Sequence, residues 1–135
     1  MAERNFILLV EDNADDRALT VRAFRDLDYE IVTAADGAAG LELLQGKDAK
    51  RLPAVVLLDL KLPKIGGLEV LRRIRTDPRT ASIPVVMLTS SKEEPDLSAS
   101  FKAGANSYIR KPVDLDRFVK AVRMLNLPGL PVHAK

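Results

Sequence analysis

The sequence predicts an α/β domain: a parallel β-sheet with helices packed on both of its faces. Three observations point there. Short, solid apolar runs recur along the chain, the stretches between them carry apolar residues at helical spacing, and the two kinds of segment alternate five times over. Runs without polar alternation suit strands buried on both faces, the usual setting of a parallel sheet. Strict alternation implies right-handed crossovers.

Phe6-Ile7-Leu8-Leu9-Val10 is the first run. Residues 14–27 follow as a helix with Ala18, Val21 and Phe24 on its stripe. Ile31-Val32 is the second strand, and residues 37–45 form a helix facing inward through Leu41 and Leu44. The run 54–58 is the most hydrophobic and is expected at the centre of the sheet. Leu68, Leu71 and Ile74 form the next stripe. Asp77-Pro78 ends it, because proline drives the residue before it out of the helical region. Arg72, Arg73 and Arg75 read as the solvated face of that helix. The run 83–88 is the fourth strand, and residues 95–104 form a weaker helix with Leu97, Phe101 and a stop at Gly104. Tyr108-Ile109 is the fifth strand. Leu115, Phe118, Val119, Val122 and Leu125 are the last stripe, with Asp114 or Asp116 near its start. Residues 1–127 read as one domain and 128–135 as a C-terminal tail that includes His133.

Composition narrows the chemistry. The 135 residues are 47% hydrophobic and 30% charged, enough apolar surface for one buried core. The net charge of +2 leaves no footprint for nucleic acid. No cysteine is present, which excludes a disulfide scaffold, a thiolate nucleophile and a thiolate-ligated metal. The single histidine, His133, argues against a histidine-based triad or metal site. No apolar run approaches the roughly 20 residues of a membrane span, and Glu11-Asp12 cuts short the first run before it could serve as a signal core. A cytoplasmic location without membrane contact is the expectation.

In an open parallel sheet, ligands bind beyond the carboxyl ends of the strands. The residues at those ends are Glu11 and Asp12, then Asp59 and Lys61, then Thr89, Ser90 and Ser91, then Arg110, Lys111 and Pro112. Three carboxylates, a hydroxyl and an ammonium therefore converge on one rim. Carboxylates so placed repel unless a cation joins them. An all-oxygen set without histidine or cysteine favours a hard ion such as Mg2+. Thr89 and Lys111 would suit a phosphoryl group beside that ion. One carboxylate is then either a ligand only or a nucleophile that forms an aspartyl phosphate. Asp59, at the end of the expected central strand, is the best candidate.

Four motifs stand in order at these strand ends: Val10-Glu11-Asp12-Asn13; Leu57-Leu58-Asp59-Leu60-Lys61-Leu62-Pro63 with Gly66-Gly67; Leu88-Thr89-Ser90; and Tyr108-Ile109-Arg110-Lys111-Pro112. Together they resemble the receiver domain of two-component response regulators, over about residues 5–125. The stretch from Gly104 to Asp114 is similar to stand-alone regulators, including those paired with bacterial phytochrome kinases. The resemblance implies a flavodoxin-like, doubly wound (βα)5 fold with strand order 2-1-3-4-5. It makes Asp59 the phosphoacceptor, and it gives Glu11, Asp12, Asp59 and the backbone carbonyl of Lys61 to Mg2+. It pairs Lys111 with the phosphoryl group, followed by a cis bond to Pro112, and it assigns phosphoryl binding and switching to Thr89, Ser90 and Tyr108. The implied function is a phosphoacceptor switch rather than an enzyme, with a histidine kinase of the bacteriophytochrome type as donor. With no output domain expected in 135 residues, the output is contact with a downstream protein or onward phosphorelay.

Each motif alone has an ordinary explanation. Glu11-Asp12 could end a strand and favour the next helix's positive end, and Thr89-Ser90-Ser91 could cap a helix. Only their joint placement on one rim argues against chance. Two positions depart from the family pattern: Lys61 puts a cation at the site mouth, and Gly66 stands where an acid is frequent. A strand-end phosphatase would need Asp-x-Asp, which neither Asp12-Asn13-Ala14 nor Asp59-Leu60-Lys61 supplies. A flavin or nucleotide carrier would need a glycine- or hydroxyl-rich phosphate loop, whereas residues 11–16 are rich in acids. A homodimer through the face of the fourth helix, fifth strand and fifth helix is a further expectation.

Overall fold

Asp59 ends the middle strand of a five-stranded parallel sheet whose order is β2-β1-β3-β4-β5. The computed structural model describes residues 6–25, 29–46, 51–90 and 94–125, with side chains for all of these except 94–97 and 123–125. The strands are β1 (Phe6–Val10), β2 (Glu30–Ala34), β3 (Val55–Asp59), β4 (Val85–Thr89) and β5 (Ser107–Arg110). The helices are α1 (Ala14–Ala23), α2 (Gly37–Gln45), α3 (Gly67–Thr76), α4 (Glu94–Lys102) and α5 (Leu115–Leu125). This is the doubly wound arrangement the strand–helix alternation implied. The expected tail, Ser91, and the side chains of Leu97 and Leu125 lie outside the description.

Every residue of β1, β3 and β4 is buried, as their unbroken apolar runs required. The pleat splits them between two cores. Phe6, Leu8, Val10, Val56, Leu58, Val85 and Met87 pack with Leu41 and Leu44 of α2 and with Val70, Leu71 and Ile74 of α3. Ile7, Leu9, Val55, Leu57, Val86, Leu88 and Ile109 pack with Phe24, Phe118, Ala121 and Val122. The rings of Phe24 and Phe118 meet at 4.6 Å between centroids and join the end of α1 to α5. No described helix is long and apolar enough to cross a membrane.

Three expectations need correction. Strand β4 begins at Val85 rather than Ile83, because Ile83 closes a turn by donating its N–H to the Thr80 carbonyl. In α1, Ala18 and Val21 are exposed, and the buried residues are Thr20 in the helix and Phe24 at its end. A polar residue can face inward there because the Thr20 hydroxyl donates to the Asp16 carbonyl one turn back, at 2.9 Å. Apolar spacing alone therefore placed Phe24 correctly but not Ala18 and Val21. Arg75 is not part of a solvated face either, whereas Arg72 and Arg73 are exposed beside Glu69. The Arg75 guanidinium donates to the carbonyls of Gly104 (3.0 Å), Ala81 (3.0 Å) and Ile83 (2.6 Å) and to Asn106 Oδ1 (2.8 Å).

The loop after β3 is held against the sheet by Gly67. A Cβ at Gly67 would run into the Asp59 carbonyl oxygen and stand 2.8 Å from Leu60 Cα, both backbone atoms that cannot turn aside. Gly67→Ala should destabilise the fold by about 1–3 kcal/mol, the usual range for overpacking, read as a lower urea midpoint. Gly66→Ala, whose Cβ would meet nothing within 4 Å, should stay close to wild type.

Candidate functional site

The strand ends bring Glu11, Asp12, Asp59, Thr89 and Lys111 to one rim. Glu11 follows β1 and is anchored by its own backbone: its N–H donates to the Ala34 carbonyl at 3.0 Å, and its carbonyl accepts from Arg17 Nη1 at 2.7 Å. Its side chain is 1% exposed. Asp12 beside it is exposed. Asn13 caps α1 by accepting the Asp16 N–H at 2.9 Å, while its own N–H donates to Glu11 Oε2 at 3.1 Å. Asp59 is 7% exposed at the side chain, and its Oδ1 accepts the Lys61 N–H at 3.1 Å. One carboxylate oxygen from each of Glu11, Asp12 and Asp59 lies within 4.8 Å of the others. These oxygens form an all-carboxylate set of the kind that suits a hard divalent cation.

Lys111 enters from the end of β5, where its N–H donates to the Thr89 carbonyl at 2.7 Å. The bond that follows, Lys111–Pro112, is cis, as expected. The Lys111 ammonium is 14% exposed and lies 2.7 Å from Glu11 Oε1, 3.0 Å from Asp59 Oδ2 and 3.3 Å from Asp16 Oδ2. Thr89 is buried at the end of β4, and Ser90 after it is exposed. Tyr108 lies on the outer surface, edge-on to Phe101 at 6.1 Å. The Lys61 side chain is exposed.

Sequence reasoning passed over Asp16, which it counted only among the acids near the start of α1. Asn13 with Asp16 three positions on marks a helix start, but nothing in that spacing names Lys111, 95 residues away, as the partner of Asp16.

The charges shape one another's acidity. Burial raises the Glu11 carboxyl from its ordinary 4.5 to about 7; hydrogen bonds from Lys111 and the Asn13 N–H oppose the rise, and Asp59 adds to it. Burial also works against the Lys111 ammonium, but its hydrogen bonds to Glu11 and Asp59 outweigh that and hold it above its ordinary value. A carboxyl that titrates near 7 when folded and near 4.5 when unfolded binds a proton on folding between those values. Its contribution to stability is present below that window and is lost as pH rises through it. Metal-free protein should therefore lose stability between about pH 5 and about pH 7.5 relative to Glu11→Gln, as measured by urea unfolding of both proteins at each pH.

A family model described as the response regulator receiver domain matches residues 7–123. The response regulator Rcp1 of Synechocystis sp. (strain ATCC 27184 / PCC 6803 / Kazusa) is 38% identical over 122 residues, covering 87% of this chain and 83% of that protein. A manganese-bound structure of response regulator Rcp1 is similar with a TM-score of 0.76 at 35% identity, over 96% of this chain and 97% of that one. The bacteriophytochrome response regulator AtBRR is similar with a TM-score of 0.82 at 45% identity, over 93% and 94% of the two chains. The phosphorylated cyanobacterial phytochrome response regulator RcpA has a TM-score of 0.78 at 35% identity, over 98% of each chain. With a buried aspartate at the end of its central strand and acids and a lysine gathered around it, the chain belongs to the receiver domain family of response regulators.

Proposed function

We propose that this chain is a signalling switch that accepts a phosphoryl group from a partner histidine kinase onto Asp59, in a reaction that depends on Mg2+. Receiver domains accept phosphoryl groups from histidine kinases and bind Mg2+ or Mn2+ at an acidic pocket. The observation that carries the reading for this chain is the Asp59 carboxylate, buried at the rim with Lys111 Nζ 3.0 Å away and the Glu11 and Asp12 oxygens within 4.8 Å.

Glu11, Asp12, Asp59 and the backbone carbonyl of Lys61 would hold Mg2+. Bound there, the ion supplies positive charge to the phosphoryl oxygens as they are transferred. An Asp59 carboxylate oxygen attacks phosphorus. The O–P bond forms as the N–P bond to the donor histidine breaks, and the imidazole leaves with that electron pair. The Lys111 ammonium then faces a phosphoryl oxygen, with the Thr89 and Ser90 hydroxyls as further donors. Tyr108 moves from its outer position beside Phe101 toward the space Thr89 vacates. The face formed by α4, β5 and α5 changes with it, and a downstream protein or relay partner reads that change.

The likeness to AtBRR and RcpA supports a kinase of the phytochrome class as donor. The surface of α4, β5 and α5 that exposes Phe101 and Tyr108, though not the buried Phe118, is where a homodimer would form, in the cytoplasm and without nucleic acid or membrane as partner. The chain catalyses no reaction other than its own phosphorylation and dephosphorylation.

Incubation with acetyl phosphate and Mg2+ should add one phosphoryl group to the intact mass. Asp59→Ala or removal of Mg2+ should abolish the gain, and a gain retained by Asp59→Ala would overturn the reading. The exposed Lys61 ammonium attracts the anionic donor. Lys61→Asn should therefore slow phosphorylation by about fivefold at low ionic strength, with the gap closing as salt rises. Equal rates in stopped-flow measurements at low salt would remove that role.

A further inference from the structure

The Lys111 ammonium lies within 3.3 Å of three carboxylates. Glu11 and Asp59 belong to the acidic set at the strand ends, but Asp16 comes from the first turn of α1. Its position is built rather than incidental. The Asp16 N–H is held by the Asn13 side chain at 2.9 Å, and its carbonyl accepts the Thr20 hydroxyl at 2.9 Å. Arg17, next along, ties the same turn to the Glu11 carbonyl at 2.7 Å. From this fixed turn Asp16 Oδ2 reaches Lys111 Nζ at 3.3 Å across 95 residues of sequence. Asp16 is the outermost of the three partners, 39% exposed at the side chain, while Glu11 and Asp59 are nearly sealed.

An ammonium has three donor hydrogens and loses much by being left unpaired in a buried place. Without a metal, Lys111 pairs with both Glu11 and Asp59, at 2.7 and 3.0 Å. When those two carboxylates turn their charge to a divalent cation, Lys111 would be left facing that cation without a full partner. Resting on the receiver reading above, we propose that Asp16 is a positioning residue: it is the carboxylate that keeps the Lys111 ammonium seated when Glu11 and Asp59 engage the metal. Asp16 adds little to Lys111 in the metal-free protein, where two closer carboxylates already serve it. In the metal-bound protein it is the anion that remains. Asp16 therefore favours the metal-bound state, and it acts through Lys111 rather than by touching the ion.

A double-mutant cycle on Mg2+ affinity tests this, with binding followed by calorimetry on the full chain at constant ionic strength. Asp16→Asn should weaken Mg2+ binding by about fivefold, the scale of one half-exposed ion pair. Lys111→Met should tighten binding by removing a competing cation, and in that background Asp16→Asn should change affinity by less than about twofold. Equal losses in the two backgrounds would mean that Asp16 acts on the ion directly, and no loss in the wild-type background would mean that it does nothing here; either result overturns the proposal. If the wild-type chain takes up no Mg2+, the receiver reading falls with it. If the wild type binds Mg2+ and takes phosphate on Asp59, only the role of Asp16 is at stake.

Discussion

Four carboxylates and one ammonium at the edge of a closed apolar sheet set the terms for the rest of the molecule. Glu11 and Asp59 are buried, and burying an anion without a counter-charge is prohibitively costly. Lys111 meets both, at 2.7 and 3.0 Å, and so makes the rim compatible with folding. The arrangement remains poised. Negative charge exceeds positive charge around the ammonium, and burial, with a smaller push from Asp59, raises the Glu11 carboxyl to about 7. A site in this condition favours the arrival of a cation, and the metal that receiver domains bind meets that need.

The sheet does the gathering. In parallel pairing each strand points the same way, so β1, β3, β4 and β5 all deliver their last residues to one edge. The register places Asp59 opposite Leu88 and Thr89 opposite Arg110. The pleat puts Asp59 in phase with Leu57, on the side covered by α1 and α5. That is the side from which the first turn of α1 offers Asp16. Gly67 closes the arrangement from the other direction by letting the start of α3 touch the Asp59 and Leu60 backbone.

The opposite end of the sheet is braced by a different device. Arg75 links the end of α3 to the turn before β4 and to the loop before β5, with Asn106 Oδ1 accepting from both Arg75 and the Val85 N–H. Gly104, at φ 111°, lies beneath the Arg75 side chain, where a Cβ would meet Nε at 2.9 Å. The brace holds the entrance to β5 while its exit carries Lys111. Phe101 and Tyr108 lie between the two ends, on the surface where the switch is proposed to be read.

The alternation of elements, the buried strands and the rim residues Glu11, Asp12, Asp59, Thr89 and Lys111 were legible in the order of residues alone. These follow from local rules: a short unbroken apolar run bounded by polar residues suits an interior strand, and a parallel sheet exposes its carboxyl ends together. The tertiary structure alone decided which face of α1 points inward, because Thr20 satisfies its hydroxyl within the helix and so passes for an apolar residue. It alone turned Arg75 from a solvated side chain into a brace, since the carbonyls it binds come from the turn just before β4 and from the loop before β5, the latter 29 residues away. It also brought Asp16 to Lys111. The Asp16 charge and the Arg75 guanidinium are visible in the sequence, but their partners are fixed only when packing brings Lys111 and the loop before β5 within hydrogen-bond reach.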